Sequence, residues 1–276
     1  IMGSRNIYAG STVDRMPHNF AWHHMLGHQF LCTVPDINRT DYYLMLGTNP
    51  KISNGAQMST GANAWKKLNA IRTRGGKCVL IDPRRNESAK YVDEHHFIRP
   101  HSDAMFLMGI IQVIFHRGLA RPGRMAGHIN GWQKIEAIAN EFDLDRIAEV
   151  TDIPRADIER IAEEFATANS AICYGRTGVS MVQFAGLTQW LMYVVNIITG
   201  NMDEKGGLMF PRPALDSLDL TQSSWGRYHS RVSHRPEFSG EFPMAILAEE
   251  ILTPGEGQLR GLMGTAGNMV LSMADS

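Results

Sequence analysis

A chain of 276 residues, 43% hydrophobic and 20% charged, has room for one large α/β domain, or for one domain and part of another. Its formal net charge of -1 supplies no global field for nucleic acid or an anionic membrane. Cys32, Cys78 and Cys173 lie far apart with no CxxC, which excludes a disulfide framework and a cysteine-built metal site.

The opening segment "IMGSRNIYAG" has no cationic region followed by an apolar core, so no signal peptide is visible. Neither it nor the closing "LSMADS" reads as a natural terminus, and a piece of a longer chain is expected. His23-His24, His28 and His95-His96 match neither HExxH nor a zinc-finger spacing, and read as structural or surface histidines. Short apolar runs at 42–46, 78–81, 96–98, 171–174 and 259–263 have the texture of strands buried on both faces. Helical periodicity at 61–74 and 103–116 separates or follows them, which predicts βαβ units. The fold class expected is α/β: a doubly wound, mostly parallel sheet with helices on both faces, Rossmann-like, plus partial flanking segments.

The stretch "FDLDRIAEVTDIPRADIERIAEEFATANS" predicts two amphipathic helices around a turn, with Thr151 or Asp152 capping the second. Asp157, Glu159, Glu163 and Glu164 on that second helix would repel phosphates, so a structural pair is expected and not a DNA-reading one. The uncharged run between Arg176 and Asp203 is broken by Gly178, Gln183, Gln189 and Asn196, which suits a core helix better than a membrane span. Beyond Gly206-Gly207, residues 210–242 read as a long irregular excursion, with regular structure resuming at 244–251.

In an open parallel sheet, ligands bind beyond the carboxyl ends of the strands. The predicted strands end in "GTNP", "DPRR", "RPHSD", "GRTGVS" and "GTAGN". Each has a plainer reading: Gly47 and Pro50 suit a turn, Asp82-Pro83 a turn start, and Ser102 or Asp103 a helix cap. Together they suit an extended dinucleotide. Glycines admit a pyrophosphate, Asp82 can accept ribose hydroxyls, and Arg84 can offer its planar fork to phosphate. Asp103 can take paired hydrogen bonds from guanine, which adenine does not supply. No GxGxxG fingerprint follows the first strand. The residues alone therefore lead to a large nucleotide-bearing ligand lying across an α/β crevice.

Four stretches carry a resemblance: "DINRTDYYLMLGTNP", "KCVLIDPRRNESAKYVDEHHFIRPHSDAMFLMGI", "VTDIPRADIERIAEEFATANSAICYG" and "NIITGNMDEKGG". In that order they resemble the molybdopterin-containing oxidoreductases of the dimethyl sulfoxide reductase and formate dehydrogenase type. The resemblance resumes at "LRGLMGTAGNMVLSMADS", where Met269 stands in place of a proline. It implies molybdenum, or tungsten, held between two pterin guanine dinucleotides, and an iron–sulfur cluster outside this chain. It implies an internal domain of a catalytic subunit, with residues 1–207 binding the dinucleotide and 208–276 returning to an adjoining α/β domain. Position by position, Gly47, Thr48 and Asn49 match a loop against one dinucleotide, and Asp82 and Arg84 the loop at its guanosine. His101, Ser102 and Asp103 match an R-P-G-T-D turn, with His101 replacing the glycine. Thr177, Gly178 and Met181 match the turn beneath the pterin, where Met181 replaces a frequent glutamine, and Asn268 matches the last contact.

In "STVDRMP" the position of the family's metal ligand, a few residues before a proline, falls on Asp14. A carboxylate oxygen suits oxidised molybdenum; the plainer readings are a residue beside the metal or a cap for a helix near Met16, with Ser11 and Thr12 in reserve. His18, His23 and His24 follow as funnel-lining or exposed residues. The resemblance implies two-electron chemistry on a small substrate, with electrons leaving through the pterin to the iron–sulfur cluster. Expected partners are that substrate, the missing domains and an iron–sulfur electron-transfer subunit, without nucleic acid. The isolated chain is expected to be inactive, one wall of a site, and not to hold the cofactor alone. A cytoplasmic location is expected, unless an export signal lies in a missing N-terminal part. Two rivals stay open: a molybdenum-free scaffold related to the large iron–sulfur subunit of complex I, and a nicotinamide-dependent dehydrogenase.

Overall fold

Two helices, α1 (Ser11–Asp14) and α2 (Met16–Leu26), precede the first strand of the four-stranded sheet, β1 (Tyr42–Leu46). There follow α3 (Ala64–Thr73), β2 (Lys77–Ile81), β3 (Glu94–His96) and α4 (Asp103–His116). Three more helices, α5 (Trp132–Asn140), α6 (Leu144–Thr151) and α7 (Arg155–Thr167), lead to β4 (Ala171–Gly175), α8 (Thr177–Ser180) and α9 (Ala185–Ile198). The computed structural model describes residues 3–54, 63–212, 214, 216, 218, 221–265 and 267–268.

The four strands are parallel, in the order β3-β2-β1-β4. All five residues of β1 are buried, because the strand is central and covered on both faces. Tyr42, Leu44, Leu46, Val79, Ile81 and Cys173 point into one core with α4 to α7. Tyr43, Met45, Leu80, Ile172 and Tyr174 point into the other, against Trp22 of α2 and Leu68 and Ile71 of α3. The alternation follows from the two-residue period of a strand. Fully burying each such side chain contributes about 1.5–3 kcal/mol.

Strand β4 lies at a sheet edge, yet its outward backbone groups are not left bare. Asn196 of α9 accepts from Cys173 N (3.0 Å) and donates to Cys173 O (2.8 Å), as a neighbouring strand would. Asn201 Oδ1 accepts from Ala171 N at 2.9 Å. Two amides thus satisfy the edge and block further pairing.

Several expectations need correction. The third strand is Glu94–His96, earlier than 96–98, because its pairing follows Val79–Ile81 of β2. The helix expected at 61–74 is Ala64–Thr73, with 61–62 outside the described residues. Residues 259–263 form no strand: they are exposed or half-buried and pair with nothing regular. Neither Thr151 nor Asp152 caps α7, whose N-cap is Pro154; Asp152 takes the left-handed position after α6 instead. Residues 210–242 are not wholly irregular, for β5 (Trp225–His229) and β6 (Pro236–Phe238) pair there as a hairpin. Buried Glu237 holds it, accepting from Ser224 Oγ (2.9 Å), Arg227 N (2.9 Å) and Gly240 N (3.2 Å). Regular structure resumes at Met244–Ile246 and α10 (Leu247–Leu252), as expected. No helix among the described residues is long and apolar enough to cross a membrane.

Candidate functional site

The strand order reverses at β1, whose neighbours β2 and β4 lead off in opposite directions, so the crevice of such a fold opens above β1 and β4. Gly47 ends β1 with φ 51°, in the left-handed region that disfavours a side chain. A Cβ there would stand 2.8 Å from Val179 N and 2.9 Å from Gly178 Cα, while Gly178 N donates to Gly47 O at 3.0 Å. What approaches the backbone of Gly47 is therefore the backbone of Gly178. The two predicted glycines meet each other, and this contact requires both whether or not a pyrophosphate lies above them.

The β1 and β2 ends are joined through residues the sequence reading passed over. Asp82 accepts from Arg84 N (2.8 Å) and Asn86 Nδ2 (2.9 Å), and Asn86 also donates to Thr48 O (3.1 Å). Asn49 donates to Glu87 Oε2 (2.6 Å) and accepts from Ser88 Oγ (2.7 Å). Arg84 pairs with Glu87 at 3.3 Å, and both side chains are exposed. Thr48 Oγ1 is buried with no partner among the described residues. The signal for this network was the Asn86-Glu87-Ser88 triplet, where an asparagine can bond the backbone two residues on; Asn86 Oδ1 does accept from Ser88 N at 2.9 Å.

At the third strand end, His101 holds φ 71° without being glycine, so replacing the family's glycine has kept a glycine-like backbone. Its Nδ1 accepts from Gln183 N at 2.9 Å, a bond that offsets the roughly 1–2 kcal/mol cost of the conformation. The same bond ties this turn to the loop carrying Met181, which is 62% exposed. Ser102 and Asp103 are buried, and neither side chain caps α4; Ser102 Oγ donates to Arg99 O at 2.6 Å. Burial pushes the Asp103 carboxyl up to about 6, and the nearby charge of Asp82 adds to this against a backbone hydrogen bond and His101. No cation pairs with it among the described residues.

Asp14 is the last residue of α1 and does not cap α2, whose N-cap is Arg15 without a side-chain bond. Its Oδ1 accepts from Thr177 Oγ1 at 3.1 Å, so two predicted site residues that are 163 positions apart meet. Asn268 is exposed, in a stretch without regular structure, and Met269 lies outside the described residues. Among the described residues no three or more His, Cys, Asp or Glu side chains converge as a metal site. His18 is buried rather than funnel-lining at the surface, while His23 is half-buried and His24 exposed.

No family model matches the chain. Over 271 residues it is 26% identical to a nitrate reductase of Klebsiella oxytoca, covering 89% of this chain and 29% of the relative. To the thiosulfate reductase molybdopterin-containing subunit of Salmonella typhimurium it is 25% identical over 174 residues, 63% of this chain and 22% of the relative. The chain is related to the molybdopterin oxidoreductases. The acetylene hydratase from Pelobacter acetylenicus shares its fold with a TM-score of 0.61, at 23% identity over 72% of this chain and 26% of that one. The chain spans less than a third of the length of these molybdopterin-family relatives. That kinship leaves the substrate open.

Proposed function

We propose that this chain is the dinucleotide-binding part of a molybdenum or tungsten oxidoreductase acting on a small substrate, in the manner of a nitrate reductase or formate dehydrogenase. Residues 1–207 form the part that holds a pterin guanine dinucleotide, and 208–276 return to an adjoining domain. The observation that carries the reading is Asp103: a carboxyl 5% exposed, beside Asp82, with no cation partner among the described residues. Guanine's two N–H groups on one edge would satisfy it, so the residues present fit the group. The partnerless hydroxyl of Thr48 is a second free acceptor and donor on the same ledge.

In this reading Thr48, Asn49, Asp82 and Asp103 orient the guanosine end, while Gly47 and Gly178 keep the strand ends close together. Arg84 would stiffen the loop through Glu87. His101, Ser102, Met181 and Asn268 flank the ledge, and Thr177 holds Asp14, which would ligate or adjoin the metal. When bound, the cofactor would supply two-electron transfer to or from the substrate. Further domains and an iron–sulfur subunit would complete the site, exclude water and carry electrons away.

Elemental analysis of the full-length protein is the direct test, with molybdenum or tungsten expected alongside iron. Iron alone would favour the electron-conduit scaffold, and tight nicotinamide binding with no such metal would favour a dehydrogenase. A cytoplasmic location is part of the proposal and is tested by fractionation of the source cells.

A further inference from the structure

Glu241 reaches α1 from the far part of the chain. Its two carboxylate oxygens are divided between the start of that helix and the residue that follows it. Ser11 Oγ donates to Oε2, and Arg15 Nη2 donates to Oε1 at 3.0 Å. Ser11 and Arg15 are four residues apart, so one helical turn brings them to the same side. Ser11 is buried and the Glu241 side chain is 18% exposed, so water competes little for these bonds. The Ser11 hydroxyl is thereby committed to a carboxylate. A helix of four residues cannot sustain itself and takes its orientation from such ties.

Glu241 is itself held on a stiff mount. Ser239 and Gly240 have φ 58° and 80°, the left-handed pair of a two-residue hairpin turn. The turn is closed in both directions: Glu241 N donates to Phe238 O at 3.1 Å, and Phe238 N to Glu241 O at 3.0 Å. Gly240 N donates to buried Glu237 (3.2 Å), and Tyr228 Oη to Gly240 O (3.3 Å). Phe242 N donates to Ile7 O (2.8 Å), where residues Tyr8–Ala9 pair with Phe242–Pro243. Asp14, the exposed last residue of α1, takes a different partner, accepting from Thr177 Oγ1 at 3.1 Å.

We infer that Glu241 is a positioning residue for Asp14: it clamps α1 through Ser11 and Arg15, and so sets where the Asp14 carboxylate stands beside Thr177. Two anchors from distant parts of the chain then fix one carboxylate, Thr177 by a direct bond and Glu241 through the helix backbone. A catalytic group displaced by about 1 Å can lose on the order of 100-fold in rate, so such anchors matter as much as the group itself. The inference deepens the oxidoreductase reading and rests on it for the catalytic consequence, while the clamp itself rests on the contacts alone.

The full-length protein is compared with its variants by kinetics on nitrate with reduced viologen and on formate with oxidised viologen, and by hydrogen exchange of the metal-free form. Glu241→Ala should lower kcat at least tenfold with KM and metal content within twofold, and should quicken exchange at residues 11–16 at least tenfold. Ser11→Ala and Arg15→Gln should each give part of that loss. The two together should match Glu241→Ala, and adding Glu241→Ala to them should change nothing further. Glu241→Gln, which keeps an acceptor for Ser11, should recover part of kcat. Arg235→Gln, exposed in the loop of the same hairpin, should behave as wild type. Where Glu241→Ala does not fold, the Ser11→Ala, Arg15→Gln pair serves in its place. Unchanged exchange at 11–16, fully additive losses, or kcat within twofold while Asp14→Ala abolishes turnover overturns the inference. Normal turnover in Asp14→Ala, or no turnover of either substrate by the wild type, would count against the oxidoreductase role of Asp14. Exchange then decides the clamp by itself: quickening supports it, and unchanged rates sink it.

Discussion

Gly47 and Gly178 pack backbone against backbone, with the Gly178 amide donating to the Gly47 carbonyl at 3.0 Å. This contact binds the end of β1 to the turn after β4, at the place where the sheet reverses its strand order. Gly47→Ala would force a left-handed side-chain-bearing residue and a Cβ within 2.8 Å of Val179 N. Roughly 1–2 kcal/mol from the backbone and about 1–3 from overpacking are expected as lost stability. Urea unfolding measures it, and a loss under about 0.5 kcal/mol would show that the strand ends can part freely.

Asp103 makes the ledge sensitive to pH. Its folded value, about 6, lies above the ordinary 3.8, so the group costs stability at pH 7, and the cost shrinks as pH falls through 6 and is gone only below 3.8. Asp103→Asn should therefore stabilise the chain at pH 7, by about 1–3 kcal/mol. Guanine, however, needs the ionised acceptor. Binding of guanosine diphosphate should weaken as pH drops through 6 and be lost in Asp103→Asn, as read by calorimetric titration.

At the amino ends of the strands, Glu94 and Glu164 behave in the reverse sense. Burial works against the charge of each, but hydrogen bonds from Lys77 and Arg160 win, and Glu94 is held down at about 2 against 4.5. Lys77 Nζ stands 2.6 Å from Glu94 and 2.7 Å from Glu164. That stability is fully present above pH 4.5 and lost as pH falls toward 2. Glu94→Gln should cost about 1–3 kcal/mol at pH 7 and progressively less in acid. Thermal melts at pH 7 and pH 3 check it; a pH-independent difference would mean that the ion pairs contribute nothing.

Asn86 holds two strand ends at once, through Thr48 O and Asp82 Oδ2. Asn86→Ala leaves buried acceptors unpaired, a loss of about 1–3 kcal/mol. Hydrogen exchange should quicken in residues 47–54 and 82–91 and stay unchanged in α7. Uniform quickening would show that the network is not local.

On the proposed function, Asp14→Ala in the full-length protein should abolish turnover and leave pterin content largely intact, as measured by activity and by cofactor fluorescence after extraction. Normal turnover would remove Asp14 from the mechanism and leave it as the acceptor of Thr177.

Local pattern was enough for the elements whose physics is local. Tyr42–Leu46 and Asp103–His116 follow from apolar runs of the right length, and the parallel sheet follows from strands separated by helices. The same pattern misjudged 259–263, because an apolar run makes a strand only where a partner strand is present. Contacts between distant segments were decided by tertiary structure alone. Gly47 looked like room for a ligand until the fold brought Gly178 onto it, and Asn86 went unremarked until the fold brought Thr48 O to it. Residue types set what each side chain can bond. Which bonds are already taken depends on long-range packing, which no short window of sequence contains.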